Sequence, residues 1–511
     1  MELIAKTFQG LETVLATELI ELGANDIQIG RRMVAFTGDK AMMYRANFAL
    51  RTALRILMPI HHFTAADADV VYEQVKGIEW EKYMDVKTTF AVDANVFSDD
   101  FRHSQFVAYR VKDAIVDRWR EITDGEQRPN VRITNPDIRI DIHIAEREVT
   151  ISLDSSGESL HRRGYRQEAV AAPLNEVLAA GIIRLTGWKA DCDFIDPMCG
   201  SGTLPIEAAL IARNMAPGIF RQDYAFMHWR DFDEDLWQAI YDDDSNEREF
   251  DHHIYGYDIN HSAVQIASDN VRAAGVTDIV TIAQGDIANF KQPAERAIMV
   301  TNPPYGERIT TDDLMGLYET IGERLKNAFT GNDAYVLSSN KEAFDSIHLK
   351  PSVKFPLLNG NIEVELRKYQ MFSGRYDDLR ASGHHIKTAA EKAQNARGMR
   401  KSAAINDRPH SNREDKPRYN RDEKPRFNRD DKPRFNRDDK PRFNRDDKPR
   451  FNRDDKPRFN RDEKPRFNRD DKPRRKYDND SRDSESWEAI RHRKMREMRD
   501  FLEKNNNEDN D

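Results

Sequence analysis

Four short apolar runs between residues 193 and 302 each lead into a polar side chain, and segments with helical periodicity separate them. The polar residues are Asp196, Asp258, Asp286 and Asn302. One acid after a strand is often a helix cap, but capping does not account for four such residues in phase. In open parallel sheets, ligands bind at the edge where the strands' carboxyl ends meet. The pattern predicts a doubly wound α/β fold with a mostly parallel sheet and a ligand site at that edge.

The first run continues through a turn with glycines at 200 and 202 into a helix that begins near Leu204. Glycines let the backbone approach a ligand at the helix N-terminus. The turn lacks the full Gly-x-Gly-x-x-Gly dinucleotide fingerprint. It is also not a P-loop, because no Gly-Lys-Ser/Thr follows it. An acid ahead of the glycines, without that lysine, favours a cationic ligand that lacks phosphate groups.

The later runs supply the rest of the predicted ligand site. Asp258 can accept two hydrogen bonds from ribose hydroxyls, and Asp286 with Ile287 would lie beside a base. The predicted ligand-binding residues are Asp196, Pro197, Cys199, Gly200, Ser201, Gly202, Thr203, Asp258, Ile259, Asp286, Ile287 and Asn302.

The fourth run ends in Asn302-Pro303-Pro304-Tyr305, a rigid corner that is polar and then aromatic. The asparagine oxygen and a nearby backbone carbonyl can accept both hydrogens of a planar amino group, while the tyrosine ring stacks on its π-face. An ordinary Asn-Pro turn is the alternative interpretation. The corner therefore predicts either a site for a planar amine or a simple turn.

Two small α/β units are predicted ahead of this sheet, at residues 1–59 and 60–158. In the first, Leu11 to Leu22 and Ala41 to Leu57 place apolar residues on one helical face. In the second, the segment from Ile138 to Ile144 alternates isoleucine with other residues, which is typical of a half-buried strand.

Residues 159–166, between the second unit and the sheet, contain three arginines, a histidine and a tyrosine. Arginine contacts phosphate bidentately and stacks on bases. The segment therefore predicts either an RNA-contacting patch or an interdomain linker with solvated charges.

Two further segments lie within or after the predicted sheet. Aromatic residues between positions 220 and 237 are interpreted as an insertion that covers one edge of the sheet. Asn359-Gly360, between two strand-like runs, predicts a β-hairpin and a final antiparallel strand.

Composition sets broad limits on the kind of protein. The net charge of −9 is not that of a protein that binds nucleic acid through bulk positive charge. The only cysteines, Cys192 and Cys199, form no disulfide framework and lack the histidines of a zinc site, so we expect a reduced, cytoplasmic setting and no metal. Residues 1–10 have no apolar core of signal-peptide length, and no apolar stretch of about 18 residues occurs, so neither export nor a membrane span is expected.

Residues 412–475 repeat the unit Asn-Arg-Asp-Asp-Lys-Pro-Arg-Phe eight times with small variations. Each copy carries a charge of +1, and the additional Arg475 brings the segment to +9, which leaves −18 for the rest of the chain. A proline in every unit excludes a helix or a packed core in the repeats. Disorder is predicted across 376–484, which comprises a linker and these repeats. The repeated arginine and phenylalanine suit weak RNA contact, and a solubilising spacer is the alternative. Residues 485–504 predict a short helix.

The sheet motifs resemble those of class I S-adenosylmethionine-dependent methyltransferases. The glycine turn after Asp196, the ribose acid Asp258, the adenine-side acid Asp286 and the Asn-Pro-Pro-Tyr motif from Asn302 carry this resemblance. Residues 1 to about 375 resemble the bacterial THUMP-domain guanine-N2 RNA methyltransferases, particularly those of large-subunit (23S) rRNA. The most specific matches are segments 160–166 and 194–203.

The resemblance implies the domain organisation. A ferredoxin-like unit (1–59) and a THUMP RNA-binding unit (60–158), both α/β, would precede a Rossmann-like class I methyltransferase domain (159–375) with a mostly parallel sheet. The disordered repeat tail would follow.

The resemblance also implies the chemistry. S-adenosylmethionine would be the cofactor, and RNA, above all rRNA, would be the partner. The target guanine would leave its stack and lie on Tyr305, while Asn302 and the carbonyl of Pro303, followed by Pro304, hold its amine for direct displacement without a general base. The implied RNA-binding residues are Arg162, Arg163, Tyr165, Arg166 and Arg308.

Other functions share parts of this pattern. A tRNA guanine-N2 methyltransferase fits the same motifs. A DNA-adenine or protein-glutamine methyltransferase shares Asn-Pro-Pro-Tyr but leaves the N-terminal units unexplained. An RNA-binding assembly factor would act through the THUMP unit and the tail, but intact Asp196, Gly200, Gly202 and Asn302 disfavour it.

Overall fold

The structure, a computed structural model, describes residues 1–293, 295–305 and 313–372. The predicted tail segments 376–484 and 485–504, and Arg308, lie outside the described residues. Within the described ranges, each helix is either too short or too polar to span a lipid bilayer.

The strands are β1 (Glu2–Lys6), β2 (Asn25–Gly30), β3 (Met33–Thr37), β4 (Arg55–Thr64), β5 (Thr89–Phe97), β6 (Asn130–Val131), β7 (Ile138–Ala145), β8 (Glu148–Asp154), β9 (Asp193–Asp196), β10 (Ile254–Asp258), β11 (Val280–Gln284), β12 (Ala297–Thr301), β13 (Asp333–Ser338), β14 (Val353–Asn359) and β15 (Ile362–Gln370). The α-helices are α1 (Glu12–Leu22), α2 (Lys40–Ala49), α3 (Ala68–Lys76), α4 (Ser104–Ile122), α5 (Glu176–Thr186), α6 (Thr203–Ala212), α7 (Glu234–Asp242), α8 (His261–Ala273), α9 (Leu314–Ala328) and α10 (Lys341–Ser346). Short 3-10 helices span Trp80–Lys82, Ala225–His228 and Ile287–Asn289.

The N-terminal strands form one continuous sheet in the order β2-β3-β1-β4-β8-β7-β5-β6. The shared strand is β4, which pairs with β1 through Leu57 and Ile4 and with β8 through Phe63 and Val149. The two predicted N-terminal units are therefore joined by main-chain hydrogen bonds, because β4 crosses the predicted boundary at residue 59.

The prediction of a helix from Ala41 to Leu57 is wrong beyond Ala49. Helix α2 ends there because Leu50 takes an extended conformation, and Arg55 begins β4. Ile56 and Leu57 are buried in the strand. Pairing with β1 and β8 overrides the local helical spacing, as tertiary contacts often do.

The prediction of a half-buried strand is confirmed in β7. Its four isoleucines are at most 1% exposed and face the helical layer, where Val111 and Ile115 of α4 are fully buried. Alternate strand residues point to opposite faces, so Arg139, Asp141 and His143 lie on the other side of the sheet.

The second sheet has the order β11-β10-β9-β12-β13-β15-β14. The pairs from β11 to β13 are parallel, whereas β15 pairs antiparallel with both β13 and β14. This arrangement confirms the predicted mostly parallel sheet and its closing hairpin. Because β9 lies between β10 and β12, the carboxyl ends of all three strands meet at one edge.

The aromatic segment around residues 220–241 packs against the N-terminal part of the chain. Phe226 stacks on Tyr44 of α2 with ring centroids 4.3 Å apart, and Trp237 meets Phe48 edge-on at 5.7 Å. Such aromatic pairs contribute about 0.5–1.5 kcal/mol each beyond the area they bury. The segment therefore docks the second sheet's domain onto α2. The prediction of an insertion that covers one edge of the sheet did not include this contact.

Candidate functional site

Three of the predicted polar residues lie together at the carboxyl edge of the second sheet. Residues Gly256 and Asp196 are neighbours across β10 and β9, and Thr301 of β12 donates a 2.9 Å hydrogen bond to Asp196 Oδ1. Asp258 ends β10, and Asn302 directly follows Thr301. The site thus forms where three adjacent strands stop.

The backbone of the glycine turn after β9 has positive φ angles at both glycines. Gly200 has φ +56° and Gly202 has φ +81°, a conformation that side chains with a Cβ rarely adopt. A Cβ at Gly202 would also lie 3.2 Å from the Cβ of Ala267. The turn therefore brings backbone N–H groups to the start of α6 at Thr203, as in sites where a ligand lies at a helix N-terminus.

Asp196 is a buried carboxylate at the base of this turn. Its side chain accepts hydrogen bonds from Thr301 Oγ1 and from the N–H of Met198, and the residue is only 1% exposed. Burial raises the pKa of Asp196 to about 7, and the negative charge of Asp258 adds to the rise. A positive charge at this edge would therefore favour the ionised form of Asp196.

Asp258 holds the glycine turn from the neighbouring strand. Its Oδ2 accepts from the N–H of Gly200 at 3.0 Å, and its Oδ1 accepts from the N–H of Asn260 at 2.9 Å. The side chain of the next residue, Ile259, is 65% exposed beside it. Asp258 thus links the end of β10 to the turn after β9.

The remaining members of the predicted ligand set divide between the surface and the core. Asp286 is exposed and caps a short 3-10 helix by accepting from the N–H of Ala288. Ile287 is 7% exposed and packs in the core, whereas the prediction placed it beside a base. Pro197, Cys199, Ser201 and Thr203 are buried within or beside the glycine turn.

The corner after β12 contains an unsatisfied acceptor. The side-chain oxygen of Asn302 is buried and has no hydrogen-bond partner among the described residues. Tyr305, at the end of the same corner, accepts a 3.0 Å hydrogen bond from Asn359 Nδ2. Between Asn302 and Tyr305, Pro303 is buried and Pro304 is partly buried.

Two polar side chains outside the predicted ligand set hold the glycine turn through hydrogen bonds. Arg166 donates to the hydroxyls of Ser201 and Thr203 and forms an ion pair with Glu176. Asn270 of α8 is fully buried and donates to the carbonyl of Ser201. Asn270 lies inside an amphipathic helix and carries no sequence signal, because its role depends on a partner 69 residues away.

The prediction that Arg163 and Tyr165 contact RNA does not agree with the structure. Arg163 is 2% exposed and lies against the fully buried Glu207, and the hydroxyl of Tyr165 donates to the same carboxylate. Buried cations in proteins are paired in this way because desolvating an isolated charge is unfavourable. Both residues belong to a buried joint between the linker after β8 and helix α6.

Arg162 lines a cleft of about 760 Å³, to which the buried Arg163 also contributes. Its side chain is 65% exposed and pairs with Glu158. The cleft is also lined by Asn135, from the loop after β6, and by Arg166, which reaches the glycine turn. The cleft therefore lies between the loop after β6 and the linker, which contacts the glycine turn through Arg166.

Arg221, from the docked aromatic segment, holds the linker in place. Its guanidinium donates to backbone carbonyls at Ser156, Glu158, Ser159 and Arg162. The residue is 7% exposed.

The mostly parallel sheet, the glycine turn after β9 and the polar strand ends define the class I methyltransferase fold. Family models match in three places: a ferredoxin-like domain at residues 2–57, a THUMP domain at 65–154 and an "RMKL-like, methyltransferase domain" at 163–368. A putative RNA methyltransferase of Synechocystis sp. is 37% identical over 371 residues, which are 72% of this chain and 96% of that protein. This chain belongs to the family of THUMP-domain RNA methyltransferases with the RMKL-like catalytic domain.

Longer relatives and solved structures agree with this membership. A ribosomal RNA large subunit methyltransferase K/L of Photobacterium profundum is 37% identical over 75% of this chain, and this chain spans about half (55%) of its length. A crystal structure of a putative methyltransferase complexed with S-adenosylhomocysteine (SAH) is 30% identical with a TM-score of 0.66, over 73% of this chain and 99% of the other. A possible methylase from Clostridium difficile 630 is 32% identical with a TM-score of 0.67, over 73% and 99%.

Proposed function

We propose that this chain transfers a methyl group from S-adenosylmethionine to the exocyclic N2 amine of a guanine in large-subunit ribosomal RNA. The observation that carries the proposal is the side-chain oxygen of Asn302, buried without a partner among the described residues. An unpaired buried acceptor costs about 1–3 kcal/mol. A bound group with an N–H donor would relieve that cost.

The residues at the strand ends suit a cationic nucleoside cofactor. Gly200 and Gly202 leave room for close approach at the N-terminus of α6, and Asp258 offers a carboxylate to ribose hydroxyls. Asp196 adds a carboxylate in a low-dielectric setting. When bound, S-adenosylmethionine would supply a methyl group carried on a positively charged sulfur.

The Asn-Pro-Pro-Tyr corner would orient the nucleophile. The oxygen of Asn302 and the carbonyl of Pro303 would accept both amine hydrogens, so that the nitrogen lone pair faces the methyl group. The ring of Tyr305 would stack on the base and hold its plane. The new N–C bond would form as the bond between sulfur and the methyl group breaks, and the methylated amine would then lose a proton to water. No general base is therefore required, and catalysis is mainly positioning.

An amine is a better target than a ring nitrogen for this corner. A ring nitrogen that receives a methyl group uses its lone pair and has no hydrogen to donate to Asn302. Amines occur on guanine, adenine and cytosine. Guanine N2 is supported by the resemblance to guanine-N2 enzymes, and ribosomal RNA by relatives named as large-subunit rRNA methyltransferases.

The substrate RNA would run through the cleft that Arg162 and Asn135 line. Among the members of the predicted RNA-binding set that the structure describes, Arg162 is the exposed cation, and Arg166 lines the same cleft. Phosphate contacts of this kind position an RNA without reading its sequence. Arg308, also predicted to contact RNA, lies outside the described residues.

Methyl transfer by the purified chain tests the proposal. Labelled S-adenosylmethionine would be offered separately to rRNA from a strain that lacks the gene, to tRNA and to DNA, followed by nucleoside analysis. We expect N2-methylguanosine in 23S rRNA. Its absence there, with label in tRNA or in another base, would contradict the proposed substrate.

A matched pair of asparagine variants tests the catalytic corner. Asn302→Ala is expected to reduce kcat by ~100-fold or more, the size of effect seen when one preorganised hydrogen-bonding group is lost, while S-adenosylmethionine binding stays near normal. Asn340→Ala is the control, because Asn340 also follows a strand of this sheet but caps α10 by accepting from the N–H of Ala343. Near-normal turnover by Asn302→Ala would remove that residue from catalysis.

A further inference from the structure

A side chain of the closing hairpin of the second sheet forms a hydrogen bond to the candidate site. Asn359 Nδ2 donates to the hydroxyl oxygen of Tyr305 at 3.0 Å, although the two residues are 54 positions apart. Asn359 is the last residue of β14, and Tyr305 ends the corner that follows β12. The hydrogen bond therefore joins the antiparallel end of the sheet to its parallel, ligand-binding edge.

The turn itself does not require an asparagine at position 359. Asn359 pairs with Ile362 in the hairpin register, and Gly360 takes the left-handed conformation with φ +66°. Position 359 is thus an ordinary strand position, which many residues occupy without strain. The side-chain amide is explained by its contact with Tyr305 rather than by turn geometry.

The contact restrains the side-chain ring of Tyr305, whose orientation the backbone does not fix. Two prolines precede the tyrosine and limit the backbone conformations of the corner. The ring still rotates about its two side-chain torsions. A hydrogen bond at the hydroxyl fixes the far end of the ring, so both ends of the side chain are held.

We propose that Asn359 is a positioning residue for methyl transfer, because it holds the Tyr305 ring in the orientation that stacks on the target base. This inference rests on the proposed function, in which Tyr305 provides the stacking surface. The hairpin then contributes to substrate geometry as well as closing the sheet. Loss of one such hydrogen bond is expected to lower kcat by roughly 3–10-fold.

The test is a double-variant cycle with a control in the same turn. Asn359→Ala and Tyr305→Phe remove opposite partners of the contact, whereas Asn361→Ala changes an exposed neighbour in the hairpin loop. We expect each of the first two to lose roughly 3–10-fold in kcat and the double variant to lose no more than the larger single loss. Asn361→Ala should stay within about two-fold, and all variants should bind S-adenosylmethionine as the wild type does. Fully additive losses, or equal activity of Asn359→Ala and Asn361→Ala, would overturn the inference.

A second measurement separates this inference from the proposed function. Site-specific 3-fluorotyrosine at position 305 gives a ¹⁹F resonance that reports ring orientation without any substrate. The resonance is expected to shift and narrow in Asn359→Ala but not in Asn361→Ala. An unchanged resonance in Asn359→Ala rejects the positioning role whichever RNA or base the enzyme methylates. A wild-type protein that forms no N2-methylguanosine rejects only the proposed substrate.

Discussion

The guanidinium Nε of Arg163 lies 3.5 Å from Oε1 of Glu207, and the two side chains are 2% and 0% exposed. Arg163 also donates to the backbone carbonyls of Leu160 and Arg51, so its contacts tie the linker to both the N-terminal part and helix α6. Burial raises the pKa of Glu207, and the charge of Arg163 opposes that rise. The arginine-rich segment 159–166 therefore forms a buried joint between domains.

Breaking this joint should destabilise the protein strongly. Arg163→Ala leaves the Glu207 carboxylate buried without its cation, and removal of one partner from a buried pair typically costs about 3–5 kcal/mol. Arg162→Ala is the matched control, since the adjacent side chain is exposed and its surface pair with Glu158 contributes about 1 kcal/mol or less. Urea unfolding followed by tryptophan fluorescence compares the two. Equal midpoints for both variants would show that Arg163 is not part of a stabilising joint.

Arg162 should instead affect RNA binding. Its replacement by alanine removes the exposed cation of the cleft, so RNA affinity is expected to fall several-fold on every sequence tested. The slope of log affinity against log salt should decrease by about 0.7 for one lost phosphate contact to single-stranded RNA. Arg272→Ala is the control, because Arg272 is similarly exposed and paired with Asp269 on α8. An identical salt slope for Arg162→Ala and the wild type would place the RNA elsewhere.

The arrangement of the catalytic sheet was predictable from local pattern, but the long-range contacts were not. Each strand of the ligand edge is a short apolar run with a polar end, and such periodicity is readable within a few residues. The position of Arg163 depends on Glu207, which lies 44 residues further along the chain. The residue types in segment 159–166 fit an RNA-contacting patch and also a buried joint between domains. Only the contacts made in the folded chain distinguish the two.

Strand β4 shows the same limit in the N-terminal part. Leu54 and Leu57 continue the helical spacing of α2, so the pattern favoured one long helix. The main-chain partners that make Arg55–Thr64 a strand come from β1 and from β8, about 50 residues before it and 90 after it. Asn359 is a case of a different kind, since Asn-Gly correctly predicted the hairpin but gave no indication of the contact with Tyr305.

The glycine turn allows a test of cofactor binding with a close control. Gly202→Ala introduces a Cβ at φ +81° that meets Ala267 at 3.2 Å, so the turn must shift. Gly187→Ala, after α5, has a similar φ of +76° but nothing within 4 Å. Both carry the backbone cost of about 1–2 kcal/mol for a left-handed alanine. Calorimetry should show at least ~10-fold weaker binding of S-adenosylmethionine only in Gly202→Ala. Equal binding by both variants would exclude the turn from the cofactor site.

The pH dependence of stability should report the buried carboxyl of Asp196. Its pKa is about 7 in the folded chain against an ordinary value of 3.8, so the native state favours the protonated form. The stabilising contribution is therefore complete below about pH 4 and is lost as the pH rises through about 7. Asp196→Asn keeps an acceptor for Thr301 and Met198 but does not titrate. The unfolding free energy of this variant, relative to the wild type without cofactor, should increase between pH 4 and pH 7 by up to about 4 kcal/mol and then level off. Curves that remain parallel over this range would show that Asp196 is ionised in the folded chain at all of these pH values.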